Sequence, residues 1–357
     1  MTGSAAASLA RGARRLLPTL LFAALAAYTV ARSALRFPFA DDFDLAVGQW
    51  PPSAAWLWAQ HNEHRLPLPK LLVAWCARHG DFRVGPWLSL ALLTAACAWL
   101  VARLGRDRPL VCVLAPALLL NPESNAWRWD VELQFATCVA LVVVALTEAL
   151  TARRARDAIV LAIASLLLPL TGGNGVLFSG ATALAAVVLA RDTSLPARAR
   201  AIFAAAAIGT LAVDAAWLHD WTRPAGDAAI AAGSLAEGAA IAARLAVAPL
   251  GSLAERAPVA LALAVTVAGL AVAATSPIAR RAIAALFAAG TLAVLVVIAA
   301  SRAGRGWIVG LEAHYGLVIA PAYLVAILAA RPSRLEPAAA ALAVIACVAA
   351  VPTTTRE

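Results

Sequence analysis

The stretch RGARRLLPTLLFAALAAYTV, Arg11 to Val30, and the acidic string FPFADDFDL, Phe37 to Leu45, decide how this chain reads. The first is apolar and long enough to cross a bilayer. The second places three carboxylates, Asp41, Asp42 and Asp44, just past its end. Ionisable groups this close to lipid are expensive and mark function by default. HNEHR, His61 to Arg65, follows, and apolar runs fill most of what remains.

The whole composition agrees with that reading. Of 357 residues, 62% are apolar and 14% charged, with a mean hydropathy of +0.81. A soluble domain carries roughly 25% charged residues. The expected fold is therefore all-α, a polytopic membrane protein with about 11 transmembrane helices. The spans are placed at 16–35, 86–102, 109–120, 134–150, 158–171, 175–190, 201–218, 258–275, 282–300, 313–330 and 337–351. The 109–120 run is short for a crossing. The 234–252 run carries Glu237 and Arg244 and reads as interfacial or re-entrant. Residues 1–357 form a single integral-membrane domain, 36–85 is the first extracytoplasmic loop with juxtamembrane helices, and no soluble C-terminal domain is expected. The N-terminal run has the look of a signal peptide but no small-x-small cleavage site, so it reads as an uncleaved helix.

Charge orients the chain. The net charge is +9 and nearly all of it is arginine, Lys70 being the sole lysine. With a cytoplasmic N-terminus, the clusters Arg11/Arg14/Arg15, Arg103/Arg106/Arg108, Arg153/Arg154/Arg156, Arg191/Arg198/Arg200, Arg280/Arg281 and Arg331/Arg334 all fall inside. Most acids, and most His and Trp, then fall outside. Acids contribute little to orientation, so their bias needs another cause, and the candidate site is placed on that face. No basic surface with interleaved aromatics is present, which excludes a nucleic-acid role. The five cysteines lack metal-ligand spacing and read as small packing residues.

The outside segments supply the candidates. Leu66 to Arg78 has apolar residues at helical spacing but is too short to cross, so it is expected to lie on the outer surface. NPESNAWRWDVELQF, Asn121 to Phe135, places Trp127 and Trp129 around Arg128. That is either an aromatic belt at headgroup level or a wall for a lipid phosphate or sugar, since Arg grips phosphate through its fork of donors. TGGNG, Thr171 to Gly175, is either a tight glycine turn or one that lends Asn174 to a substrate. SRAGRGW, Ser301 to Trp307, brings Arg302 and Arg305 outside against the charge trend, and His314 and Tyr315 start the next span. Asp214 lies within a span, where it either bonds a neighbouring helix or acts.

Asp, His, Glu and Arg on one face suit transfer to a hydroxyl. A carboxylate takes the acceptor proton while Arg and His neutralise a leaving phosphate. The alternative for DDFD is a solvated loop that caps the next short helix.

A cytoplasmic N-terminus, one span and a long outside loop opening on an acidic pair resemble the GT-C glycosyltransferase superfamily, nearest its mannosyltransferase and aminoarabinose-transferase branch. DD-F-D, NEHR-x-P-x-P, the W-x-W…Q segment and the late R-A-G segment also resemble a set of uncharacterised bacterial membrane proteins. The resemblance implies a multi-pass enzyme of the bacterial inner membrane. It would move a sugar from a polyprenyl-phosphate donor to a lipid, glycan or protein acceptor at the extracytoplasmic face. Asp41 or Asp42 would be the general base, the other orienting it or helping to hold a divalent cation such as Mg or Mn; metal need differs between branches. Chemistry places Arg128, Arg302 and Arg305 near the donor phosphate. Asp44, His61, Glu63, His64, Arg65, Trp127, Gln134, Asn174, His314 and Tyr315 complete the expected substrate site. The chain departs from the family in being short, in lacking a soluble C-terminal domain and in carrying His314-Tyr315 where an Arg-Tyr step is expected. The competing readings are a transporter or flippase of lipid-linked sugars, an O-antigen-type polymerase or ligase, and a non-catalytic scaffold.

Overall fold

The computed structural model describes residues 2–39, 41–46, 50–62, 64–122, 124, 127–128, 132–222, 235–250, 278–302 and 313–329. Side chains are described for these except at 2–11, 41, 43, 46, 235, 250, 278–280, 302, 313–314 and 329. Helices dominate. They are α1 (Thr2–Ser33), α2 (Asp41–Ala46), α3 (Ala54–Trp58), α4 (Pro67–His79), α5 (Val84–Leu104), α6 (Val111–Leu119), α7 (Leu133–Thr151) and α8 (Ala155–Leu167). They continue with α9 (Gly173–Arg191), α10 (Ala197–Leu218), α11 (Leu235–Val247), α12 (Ile278–Arg302) and α13 (Ala313–Ala329). A 3₁₀ turn, Leu168–Thr171, joins α8 to α9. A two-stranded antiparallel ribbon pairs β1 (Gln60–His61) with β2 (His64–Arg65).

Among the described residues six stretches are long and apolar enough to cross a membrane: Gly12–Ser33, Val84–Leu104, Leu133–Thr151, Gly173–Arg191, Ala197–Leu218 and Arg281–Ser301. Each falls on an expected span. α1 shows why these helices suit lipid. Phe22, Ala26 and Val30, four residues apart, are buried, while Leu17, Leu20 and Leu21 face outward. In water each exposed leucine would forgo roughly 1.5–3 kcal/mol of burial; against acyl chains it forgoes almost nothing. α7 is the central helix, with 72% of its apolar window buried against 22% in α1. It packs on α5, α8, α9 and α13, while α10 and α12 pack on α9.

The other expected spans take shorter forms. α6 has nine residues, about 14 Å of helix against a hydrocarbon core of about 30 Å. The 158–171 run is broken into α8 and the 3₁₀ turn, because Pro169 has no N–H to continue the α-ladder. The 313–330 run forms α13, of 17 residues. The 258–275 and 337–351 runs lie outside the described residues.

The helix ends sort onto two faces. On one, Arg103 Nη2 donates to Glu148 Oε2 at 2.9 Å and to Asp157 Oδ1 at 3.0 Å, joining α5, α7 and α8. Trp99 Nε1 donates to Glu148 Oε1 at 2.8 Å. Asp157 Oδ2 accepts the Arg153 and Arg154 N–H groups at 2.9 and 3.0 Å, which caps α8. The arginine clusters around 103 and 153–156 thus meet on one face. Glu148, which hydropathy hides inside an apolar run, is their buried counter-ion. The opposite face carries the first loop.

Removing Arg103 would leave Glu148 and Asp157 buried without their shared cation, a change worth about 3–5 kcal/mol. Thermal unfolding in detergent should show Arg103→Ala well below wild type. Arg106→Ala, an exposed neighbour, should stay within about 0.5 kcal/mol of it. Equal losses would show that the charge cluster does not hold the three helices.

Candidate functional site

The first loop has its own small core. Leu45 of α2 packs with Val73 and Cys76 of α4 and with Phe82. Two buried cations then organise the loop's polar backbone. Lys70 Nζ donates to the carbonyls of Trp56 at 3.0 Å and Ala59 at 2.5 Å, and lies 5.3 Å from the centre of the Trp56 ring. Arg65 Nη1 donates to the Trp58 carbonyl at 3.1 Å. The last carbonyls of α3 have no helical partner, and these two side chains satisfy them. Burial, and then the charge of Arg65, pull the Lys70 pKa below its ordinary value. Lys70 is the sole lysine of the chain, and it shares the first loop with Arg65, Arg78 and Arg83.

The loop is fastened to the bundle through the hairpin. Asn62 turns it at φ 48°, a left-handed conformation that Asn tolerates better than most residues. Arg65 Nη2 donates to the His219 carbonyl at 2.6 Å, and Trp217 Nε1 donates back to the Arg65 carbonyl at 3.2 Å. Gln60 Nε2 donates to the Thr222 carbonyl at 2.7 Å and its Oε1 accepts the Thr222 N–H at 3.1 Å. His64 Nδ1 accepts the Gly173 N–H at 3.3 Å. His61 lies beside Asn62, its Nε2 3.2 Å from the Asn62 amide.

The acidic string sits at the other end of α4. Asp42 is wholly buried. Its Oδ2 accepts the Phe39 N–H at 3.2 Å while its own N–H donates to the Phe39 carbonyl at 3.0 Å, so it also starts α2. Asp44 is exposed. The Asp41 backbone lies in α2, and its side chain is outside the description. The second loop docks close by. The Leu35 N–H donates to the Arg128 carbonyl at 2.9 Å, and Ser33 Oγ to the Trp127 carbonyl at 3.5 Å. Arg128 is exposed. Of the expected belt or wall, Trp127 is wholly buried, its Nε1 bonded to the Asn121 carbonyl at 2.7 Å, and Trp129 lies outside the described residues.

A third group gathers around the glycine turn. Gly172 has φ 130°, a region nearly closed to other residues. A Cβ there would lie 2.8 Å from Leu66 Cδ2 and 3.4 Å from Gln134 Oε1. A Cβ on Gly173 would lie 2.9 Å from His64 Nδ1. The turn therefore brings His64 and Gln134 close to the start of α9, where Asn174 follows in sequence. Tyr315 is near, buried and edge-on to Phe135 at 6.1 Å between ring centres. Pro67 and Val73, at the two ends of the α4 contacts, are separated by about 9 Å of helix. The expected residues thus lie towards two ends of α4, Asp42 and Asp44 at one and His64 with Gln134 at the other.

Glu63 and Arg305 lie outside the described residues, as do the side chains of Arg302 and His314. Among the described residues no three His, Cys, Asp or Glu side chains converge as a metal site would require. Arg65, expected on substrate, has both Nη groups on carbonyls and acts as a brace. Lys70, Trp217 and Thr222 were not expected at the site. The one sequence signal for any of them was Lys70, a lone lysine on the wrong side of the charge bias. Compared with known proteins, the chain matches no family model, no curated protein and no solved structure.

Lys70→Met keeps the stem that packs on Trp56 and removes the ammonium. Each hydrogen bond to a charged group contributes about 1.5–3 kcal/mol, so the α3 segment should loosen by at least that much. Limited proteolysis should cut between residues 50 and 62 more than tenfold faster than in wild type, with Arg106→Met, an exposed change on the opposite face, near wild type. Unchanged cleavage in Lys70→Met would refute the bracing role.

Proposed function

We propose that the protein is an integral-membrane glycosyltransferase that moves a sugar from a polyprenyl-phosphate-linked donor to a lipid, glycan or protein acceptor. The reaction takes place at the first-loop face, and Asp41 or Asp42 serves as general base. In this reading that face is extracytoplasmic, the N-terminus is cytoplasmic and the membrane is the bacterial inner membrane. The observation that carries the reading is how the first loop is held. It is bonded to the mouth of the bundle through Arg65 to His219, Trp217 to Arg65, Gln60 to Thr222 and His64 to Gly173. A loop held this firmly can keep a base in reach of a donor entering from lipid, which proximity catalysis needs. The Arg128 carbonyl is bonded to Leu35, a few residues before the acidic string, and His64 meets Gly173 at the other end of α4. Acceptor activation and leaving-group stabilisation then fall to different ends of one helix. No step is assigned to a metal, since the described residues offer no ligand set.

A second reading, transport of lipid-linked sugars, draws on Asp214. Ser179 Oγ lies 2.6 Å from Asp214 Oδ1, tying α9 to α10 inside the bundle. Acids at such depth line pathways in transporters.

The deciding measurement is sugar transfer from a panel of polyprenyl-phosphate sugars by purified protein. Asp41→Asn or Asp42→Asn should lose at least about a hundredfold of the wild-type rate, the low end for a general base. Donor-lipid binding by wild type without sugar transfer would move the assignment to transport, to be checked by lipid flipping in vesicles with Asp214→Asn; transfer at full rate in both variants would remove Asp41 and Asp42 as base.

A further inference from the structure

Asp214 is a buried acid without a cation. It lies on α10, one of the candidate crossings, and is 8% exposed. An ionised carboxylate taken out of water needs a cation or several donors. Among the described residues Asp214 enters no ion pair, and its one hydrogen-bond partner is Ser179 on α9. The elements packed on α10 bring it no charge. The turn 168–171 carries none, and α8 has Arg156 and Asp157 only at its start. α9 has Arg191 at its far end, about 18 Å of helix from Ser179. Arg198 and Arg200 of α10 sit in its first turn. Past its last residue, His219 Nδ1 lies 2.9 Å from Asp220 Oδ2, and Arg65 is bonded to the His219 carbonyl.

Ser179 supplies the independent observation. It is wholly buried, and its Oγ lies 2.6 Å from Asp214 Oδ1 and 2.7 Å from the Val176 carbonyl oxygen. Both are O–H···O hydrogen-bond distances, and each needs a hydrogen between its two oxygens. A serine hydroxyl has one hydrogen to give, and a carbonyl has none. Two bonds need two hydrogens, so the second comes from the carboxyl group. An ionised Asp214 would take the serine hydrogen and leave Oγ and the carbonyl facing each other as bare lone pairs at 2.7 Å. Thr210, one turn earlier on the same buried stripe of α10, offers no substitute. It is wholly buried and its hydroxyl is bonded to nothing, Asp214 included.

We infer that Asp214 is a proton-binding site. In the folded protein it holds a proton and donates it to Ser179, which donates on to the Val176 carbonyl. The proton comes from water at the first-loop face, since Asp214 lies four residues, about 6 Å of helix, from the end of α10 there. Release breaks the carboxyl O–H bond, and the proton passes back to that water. The carboxylate left behind draws the serine hydrogen to itself and the Val176 carbonyl loses it. Proton release therefore rearranges the contact between α9 and α10. Acids within spans that take and give up protons serve as relays in pumps and transporters. The assignment rests on hydrogen bonding inside the bundle and on neither reading of the function.

The test uses the full chain, with isotope-labelled aspartate carboxyls, in nanodiscs at neutral pH and reads infrared absorption. Wild type should show the carbonyl stretch of a protonated aspartic acid, and Asp214→Asn should lack that component. Asn keeps the shape of Asp, and its NH₂ can donate to Ser179 as the acid does, so this variant should melt near wild type. Ser179→Ala removes the acceptor. Its band should persist and move to higher frequency, as for an acid with a weaker hydrogen bond. Raising the pH should bleach the wild-type band reversibly before the protein unfolds, and Arg106→Ala should match wild type throughout. No band at neutral pH, or the same band in folded Asp214→Asn, overturns the site. If Asp214→Asn does not fold, an unmoved band in Ser179→Ala overturns it instead. A band that survives until the protein unfolds overturns exchange of the proton with water.

Discussion

Arg65 is the knot on which the first-loop face depends. Its two Nη groups hold the end of α3 and the end of α10, and its carbonyl holds Trp217. A guanidinium taken out of water needs its donors met, and backbone carbonyls of two distant segments meet them. A planar fork can serve two acceptors at fixed angles, as a flexible ammonium cannot. Lys70 then takes the carbonyls that Arg65 leaves. The hairpin, the glycine turn and the 219–222 segment inherit their positions from this pair, so the polar groups near the bundle mouth are ordered by cations that need touch no substrate.

The opposite face solves the same problem with the opposite geometry. There Arg103 lies between two carboxylates from α7 and α8, and a tryptophan donor completes Glu148. Each face therefore has a charged clasp that joins helices where apolar packing against lipid offers little specificity. Between the clasps, α7 is buried among its neighbours and α1 lies on the rim. The central helix thus delivers Gln134 and Phe135 to one clasp and Glu148 to the other.

Polar groups divide along α4. Asp42 is drawn into the fold by its turn with Phe39, while Asp44 and Arg128 remain at the surface. At the far end of α4, the glycine turn brings His64 against the start of α9 and sets Gln134 beside Gly172.

What the sequence determined by itself follows from periodicity and charge. Runs of apolar residues marked the six candidate crossings found among the described residues, because a backbone in lipid must bond within its own helix. The arginine clusters set which connections share a face. The same logic marked the first loop, the Trp127–Gln134 segment and the glycine turn as places to look. Tertiary structure alone decided which of those residues meet. Trp127 turned inward and Arg65 became a brace because carbonyls and apolar walls from distant segments reached them first. Glu148 was hidden within an apolar run, since its partner Arg103 lies a whole helix away in sequence. The breaks at α6 and α8 came from packing and proline rather than from hydropathy. Long-range hydrogen bonds have no local signature, so residue type could nominate His64, Gln134 and Asn174, but only the fold could place them around one turn.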